Sequence, residues 1–268
     1  MDEPQAADPV PTILRDPRVY LVGRQTVDDD ALQQFLDDHE ATSWTTDTEV
    51  GSQKLIEVAG RLCYMSFRAP RPGGNSAYIG HILEVGHGSV LEHAVFNLII
   101  TGVSRSFTHE LIRHRAGFGY SQLSQRFVDE SACEFVEPDA IADDPELHAV
   151  WLDAVSHAQR AYKRLADGLA ERFRDIPDRT LRRKKAREAA RSVLPNATET
   201  RIFVTANARA LRHFIEMRGD AVADVEIRKV AVAMLELLRV EAPNLFGDYE
   251  IRELPEGGTA THTEHRKV

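Results

Sequence analysis

The chain has 268 residues, with 33 Lys and Arg against 42 Asp and Glu, a net charge of −9 and a mean hydropathy of −0.34. Such a length supports one sizeable core, and the acidic balance argues against a protein that coats nucleic acid. The longest apolar run, 94–103, is broken by Asn97 and Thr101 and is too short to span a bilayer, so neither nucleic acid nor a membrane is an expected partner.

The start, "MDEPQAADPVPT", is acidic and Pro-rich, unlike a signal or transit peptide. Residues 1–16 are expected to be flexible and the protein cytoplasmic. "RVYLVG" (18–23) reads as a strand. Residues 53–65 place Leu55, Ile56, Val58, Ala59, Leu62 and Cys63 in a helical rhythm. "RAPRPGGNS" is a loop, "AYIGHILEV" resumes a helix, and "GHGS" breaks it. In "AVFNLIITGV" (94–103) alternation predicts a strand with Phe96, Leu98 and Ile100 on one face. Ser104 then caps a helix to about Arg113, with Phe107, Leu111 and Ile112 inward.

The stretch that follows, "RHRAGFGYSQLSQR" (113–126), reads as a loop because of Gly117 and Gly119, and "RFVDES" as a return strand. A long amphipathic helix is expected over about 145–174 and a basic helix over 180–191. "LPNATET" turns into a strand at "TRIFVT", and two helices, "NARALRHFIEMR" and "VADVEIRKVAVAMLELLRV", complete the ordered part. The tail from 253 has little apolar content and is expected to be loose. The fold class is α/β (α+β): one mixed domain, 17–252, with a central sheet flanked by long helices. Two cysteines, Cys63 and Cys133, lie in unrelated contexts, with Cys63 expected in the core.

Several familiar chemistries fail on spacing. In "HELIRH" the histidines are five apart, which on a helix leaves them about 140° out of register for a shared metal; no metal is expected. "GFGYSQ" lacks the third glycine of a dinucleotide fingerprint and follows a helix. No Walker lysine or nucleophile elbow occurs, and no base can be assigned to Ser121 or Ser124.

What remains is a capacity for anions. Arginine presents a planar fork matched to phosphate oxygens, and Arg105, Arg113, Arg115 and Arg126 lie close in sequence with no acidic partner beside "RHR". Residues 179–191 carry +6, which leaves −15 for the rest of the chain. In that helix Lys184, Arg187 and Arg191 share a face; a solvated basic face is an equal alternative for the cluster. Gln122, Ser124 and Gln125 offer groups able to read a base or sugar edge. Asn207, Arg209, His213 and Arg218 recur along one later helix, where Asn207 also suits an N-cap.

These motifs resemble the flavin-dependent thymidylate synthases. The family signature is RHR, seven residues and Ser, continuing to an Arg, and it is matched by "RHRAGFGYSQLSQR" with one extra residue between Arg115 and Ser124. The resemblance continues in "GHGSVLEHA", in "SRSFTHELIRHR" and in the stretch from "LRRKKAREAARSVLPNATET" to "ADVEIR". It implies methylation of dUMP to dTMP, with methylenetetrahydrofolate as carbon donor, NADPH as reductant through bound FAD, and a homotetramer with shared sites. By motif, Ser89, Arg113, His114, Arg115, Asn207, Arg209 and His213 correspond to FAD contacts. Arg105, Glu110, Arg113, Gln122, Ser124, Arg126 and Arg191 correspond to contacts of the nucleotide. Arg218 corresponds to the arginine set against the pyrimidine. The extra residue motivates a second expectation, a diverged pyrimidine C5 transfer such as hydroxymethylation of dUMP or dCMP. A non-enzymatic RNA-binding role for 179–191 is a third, disfavoured by the net charge and the lack of interleaved aromatics.

Overall fold

The computed structural model describes residues 11–69 and 71–266. In chain order they form β1 (Ile13–Leu14), β2 (Arg18–Gly23), α1 (Asp29–Asp38), α2 (Gly51–Leu62), α3 (Gly74–Glu84) and β3 (Val95–Ser104). Then come α4 (Arg105–Leu111), β4 (Phe118–Gln122), β5 (Phe135–Val136), α5 (Asp139–Ala142), α6 (Pro145–Arg172) and α7 (Arg179–Ala190). The remainder is β6 (Glu199–Asn207), α8 (Ala208–Arg218), α9 (Val225–Glu241), α10 (Pro243–Phe246), β7 (Glu250–Glu253) and β8 (Thr259–His262). Helices and sheet are mixed, as expected, but the chain weaves through two compact units. The first takes 101–109, 122–201 and the described residues up to 16; the second takes 17–100, 110–121 and 202 onward.

The first unit is built on α6 and α7, which pack against each other. Both start at an aspartate. Asp144 accepts from the Glu146 amide at 2.9 Å with Pro145 at the first helical position, and Asp178 accepts from the Thr180 amide at 2.8 Å. Cys133, Phe135 and Val155 form its core with Trp151, Leu152 and Leu194 around them. β1 pairs in parallel with β5, Ile13 opposite Phe135. Of the stretch expected to be flexible, residues 1–10 lie outside the described residues, while Ile13 and Leu14 are held by this pairing.

The second unit carries most of a four-stranded sheet in the order β2-β3-β6-β4, the ends of three strands belonging to the first unit. Phe96, Leu98 and Ile100 are buried on one face of β3, as the alternation predicts. α9 packs against β2, α8 and β8. A smaller apolar cluster joins Leu36, Ala41, Trp44 and Phe67. No helix among the described residues is long and apolar enough to cross a membrane.

Five expectations change. The segment after "RHR" is not a loop throughout: Phe118–Gln122 is strand β4, with the glycine at 117 confined to the turn before it. "RFVDES" is a turn, because the Phe127 and Val128 amides both fold back on the Ser124 carbonyl. α4 stops at Leu111, leaving Ile112 exposed. Cys63 is exposed, since it falls at the C-cap of α2 beyond the buried face. The tail expected to be loose forms the β7–β8 hairpin, Glu250 pairing with His262. Its anchors are polar: the Thr261 hydroxyl donates to the Ile215 carbonyl at 3.0 Å, and Arg266 pairs with Glu216.

Candidate active site

In the second unit the site starts from the end of α4. Ser104 caps that helix, its Oγ accepting from the Phe107 amide at 3.0 Å. After the helix the chain turns through Arg113, His114 and Arg115. Tyr120 on β4 ties the turn down, its hydroxyl donating to the carbonyls of His114 at 2.6 Å and Leu111 at 3.0 Å. Burial raises the Tyr120 pKa, so the hydroxyl stays a neutral donor. Arg113 and Arg115 are exposed, with no acidic partner among the described residues.

β6 delivers the other half of this cluster. At its end Asn207 caps α8, its Oδ1 accepting from the Ala210 amide at 2.9 Å, so the capping expectation holds. The period of α8 then presents Arg209, His213 and Arg218. His114 and His213 lie with ring centroids 6.1 Å apart, and Phe214 packs edge-on against His114 at 5.2 Å. Arg218 Nε donates to His114 Nε2 at 3.0 Å, and Arg218 Nη1 to Glu110 at 3.1 Å.

The imidazole of His114 is neutral. Burial first, then the charges of Arg218, His213 and Arg113, push its pKa from 6.5 down to about 4. With Nε2 accepting from a guanidinium, its proton sits on Nδ1. Arg218 is therefore oriented by an uncharged acceptor on one side and a carboxylate on the other. Arg209 pairs with Glu92 at 2.6 Å, in the segment that also presents exposed Ser89.

The first unit gathers a separate set. Arg105 Nη2 donates to the Leu123 carbonyl at 3.0 Å, while its Nε is buried with no hydrogen-bond partner. Burial and then the nearby charge of Arg191 depress the Arg105 pKa, with Glu130 opposing them. Gln122 spans Thr108 and Thr200, its Nε2 3.2 Å from each hydroxyl. Arg126 pairs with Glu188 at 2.7 Å, yet its Nε too is buried and unpartnered, as is Oε1 of Glu130. Ser124 starts the turn that presents Arg126. Arg191, at the end of α7, is exposed.

The basic face of α7 is only partly free. Arg187 donates to the Phe127 carbonyl at 2.6 Å and to Asp129 at 2.8 Å, and Lys184 sits 4.8 Å above the Phe127 ring. These cations clamp the segment after Arg126, and of the predicted face Arg191 alone stays exposed, with no ion pair among the described residues. Tyr120, Glu92 and Glu130 escape a reading by motif. Their partners are distant in sequence or are backbone groups, which spacing does not reveal.

Comparison with known proteins gives the family. The profile of the family described as thymidylate synthase complementing protein matches residues 46–244. A flavin-dependent thymidylate synthase of Mycobacteroides abscessus is 54% identical over 216 residues, covering 80% of this chain and 86% of that protein. The chain belongs to the flavin-dependent thymidylate synthase family. A flavin-dependent thymidylate synthase of Corynebacterium glutamicum is 51% identical over the same coverage. In fold the chain is similar to a UMP/dUMP methylase, PolB from Streptomyces cacaoi, solved with 5-Br dUMP. The TM-score is 0.64 at 21% identity, over 88% of this chain and 95% of that one.

Within this flavin-dependent thymidylate synthase family member, every residue matched to a flavin contact falls in the second unit. Of the nucleotide set, Arg105, Gln122, Ser124, Arg126 and Arg191 fall in the first, and Glu110, Arg113 and Arg218 in the second. Among the described residues no group of three or more His, Cys, Asp or Glu is arranged to hold a metal ion.

Proposed function

We propose that the protein methylates dUMP to dTMP in the cytoplasm, with methylenetetrahydrofolate as carbon donor and NADPH as reductant, as a homotetramer with shared active sites. The observation that carries the reading is Arg218, held at Nε by a neutral imidazole and at Nη1 by Glu110. The names of relatives that are more than half identical to the chain support the same reading.

The donor set fits the proposed ligands. Arg113 and Arg115 lack acidic partners and suit the pyrophosphate of FAD, with Ser89, His114, Asn207, Arg209 and His213 around it. The unpartnered Nε groups of Arg105 and Arg126 suit oxygens of the nucleotide, and the mutual repulsion of Arg105 and Arg191 would be relieved by a phosphate. Bound FAD supplies hydride chemistry that no side chain provides.

The chain's own residues then position and polarise. A guanidinium opposite the uracil edge makes the anion at N3 more accessible and C5 a better carbon nucleophile. No cysteine is needed. Burial pushes the Cys133 thiol up to about 12, which leaves it inert, and Cys63 lies outside every motif of the site.

A visible spectrum of the purified protein with added FAD, titrated with dUMP, tests the reading, followed by product assay. Flavin absorption that shifts with dUMP, and dTMP as sole product, are expected. Hydroxymethylated dUMP or dCMP would replace the reaction and keep the site; absence of flavin binding would overturn the reading.

A further inference from the structure

The signature here has eight residues between Arg115 and Ser124 where the family pattern has seven, and the structure shows where the chain accommodates the length. The Phe118 amide donates to the Arg115 carbonyl at 3.1 Å, and Gly117 between them has φ +75°. That is a type II turn, whose third position demands a left-handed residue. Beyond the turn Phe118 stacks on Tyr120 at 5.6 Å, tilted only 11°, and its ring also neighbours His114 and Phe214.

The turn rests directly on the start of α8. The Gly117 carbonyl accepts from the Asn207 amide at 3.1 Å. A Cβ on Gly117 would lie 2.7 Å from Asn207 Nδ2, 2.9 Å from its Oδ1 and 2.8 Å from Ala210 Cβ. Asn207 Oδ1 is the atom that caps α8. A side chain at 117 would therefore displace the cap of the helix that carries Arg209, His213 and Arg218, or push the basic turn away from it.

We infer that Gly117 is a positioning residue of the flavin site, seating the Arg113–Arg115 turn on the Asn207 cap so that cationic groups from two distant segments face one ligand. The inference rests on the flavin reading above. Gly119 provides the internal comparison: its φ is not left-handed, and a Cβ there would meet Thr205 Cβ at an ordinary 3.8 Å.

The test is the affinity of flavin-stripped protein for FAD, followed by quenching of FAD fluorescence well below the melting temperature. Gly117→Ala is expected to weaken FAD at least tenfold, and Gly119→Ala less than twofold. A purely structural glycine would lower the melting temperature of Gly117→Ala and leave its FAD affinity within twofold of wild type, which overturns the proposal. A second pair covers the case in which Gly117→Ala does not fold. Serine caps helices and is shorter than asparagine, and Ala210→Gly removes the other carbon in the way, so in an Asn207→Ser, Ala210→Gly background Gly117→Ala is expected to cost less than threefold. A loss of tenfold or more there overturns close packing against the start of α8 as the cause. Wild-type protein that binds no FAD would instead overturn the flavin reading.

Discussion

The Nε of Arg218 lies 3.0 Å from Nε2 of His114, across 104 residues of sequence, with the guanidinium as donor and the imidazole as acceptor. A protonated imidazole has no lone pair to offer there. The alignment of Arg218 thus depends on His114 staying neutral, which burial and then the nearby Arg218, His213 and Arg113 favour.

Replacing Arg218 separates binding from chemistry. Arg218→Ala is expected to retain FAD and to lose turnover by about 100-fold or more, the scale for removing a donor aimed at developing charge. Flavin absorbance and dTMP formation, measured on one preparation, check it. Parallel loss of the flavin would show that Arg218 holds the cofactor instead.

His114 has a pH signature. Its native pKa is about 4 against 6.5 when unfolded, so between those values the unfolded chain binds the extra proton. Its contribution to stability is complete above pH 6.5 and is lost as pH falls toward 4. In urea titrations at pH 7 and pH 5, His114→Gln should lose less stability between the two than wild type does. An unchanged difference would mean that another group titrates there.

The guanidinium of Arg212 is 1% exposed, held by Asp248 at 2.6 and 2.8 Å and by the Leu245 carbonyl at 2.7 Å. Asp248→Asn leaves a buried cation without its counter-charge and is expected to cost about 3–5 kcal/mol by urea unfolding. Burial alone would raise the Asp248 pKa, but hydrogen bonds and charge from Arg212, then Thr263, hold it low. Its stabilisation is present above the unfolded carboxylate range and disappears as pH drops through the lowered native value.

Thiol labelling should count one cysteine in the native protein and two in urea. Cys63 is exposed, whereas Cys133 is buried with its thiolate strongly disfavoured. Two fast-reacting thiols in the native state would mean that the Cys133 core opens readily.

The helices and the two main strands were legible because their apolar periods are clean: Phe96, Leu98 and Ile100 alternate, and Asn207 announces the helix after it. β4 was hidden because Gly117 and Gly119 read alike as loop residues, although only Gly117 has the left-handed backbone. The β7–β8 hairpin was hidden because its anchors are threonine and arginine contacts to α8 and contribute nothing to hydrophobicity. In the site, the groups within "RHRAGFGYSQLSQR" could be named from sequence alone. Pairs such as Arg218 with His114, or Arg209 with Glu92, could not, since only the folded chain brings them within reach.

The last turn of α8 is completed from far down the chain. Thr261 donates its hydroxyl to the Ile215 carbonyl and its amide to the Gly219 carbonyl, which brackets Arg218. The β7–β8 hairpin thus acts as a splint for the arginine that we propose faces the pyrimidine. Shortening the protein at Leu254, or fusing a bulky tag close behind the hairpin, would loosen that arginine while leaving every signature motif intact.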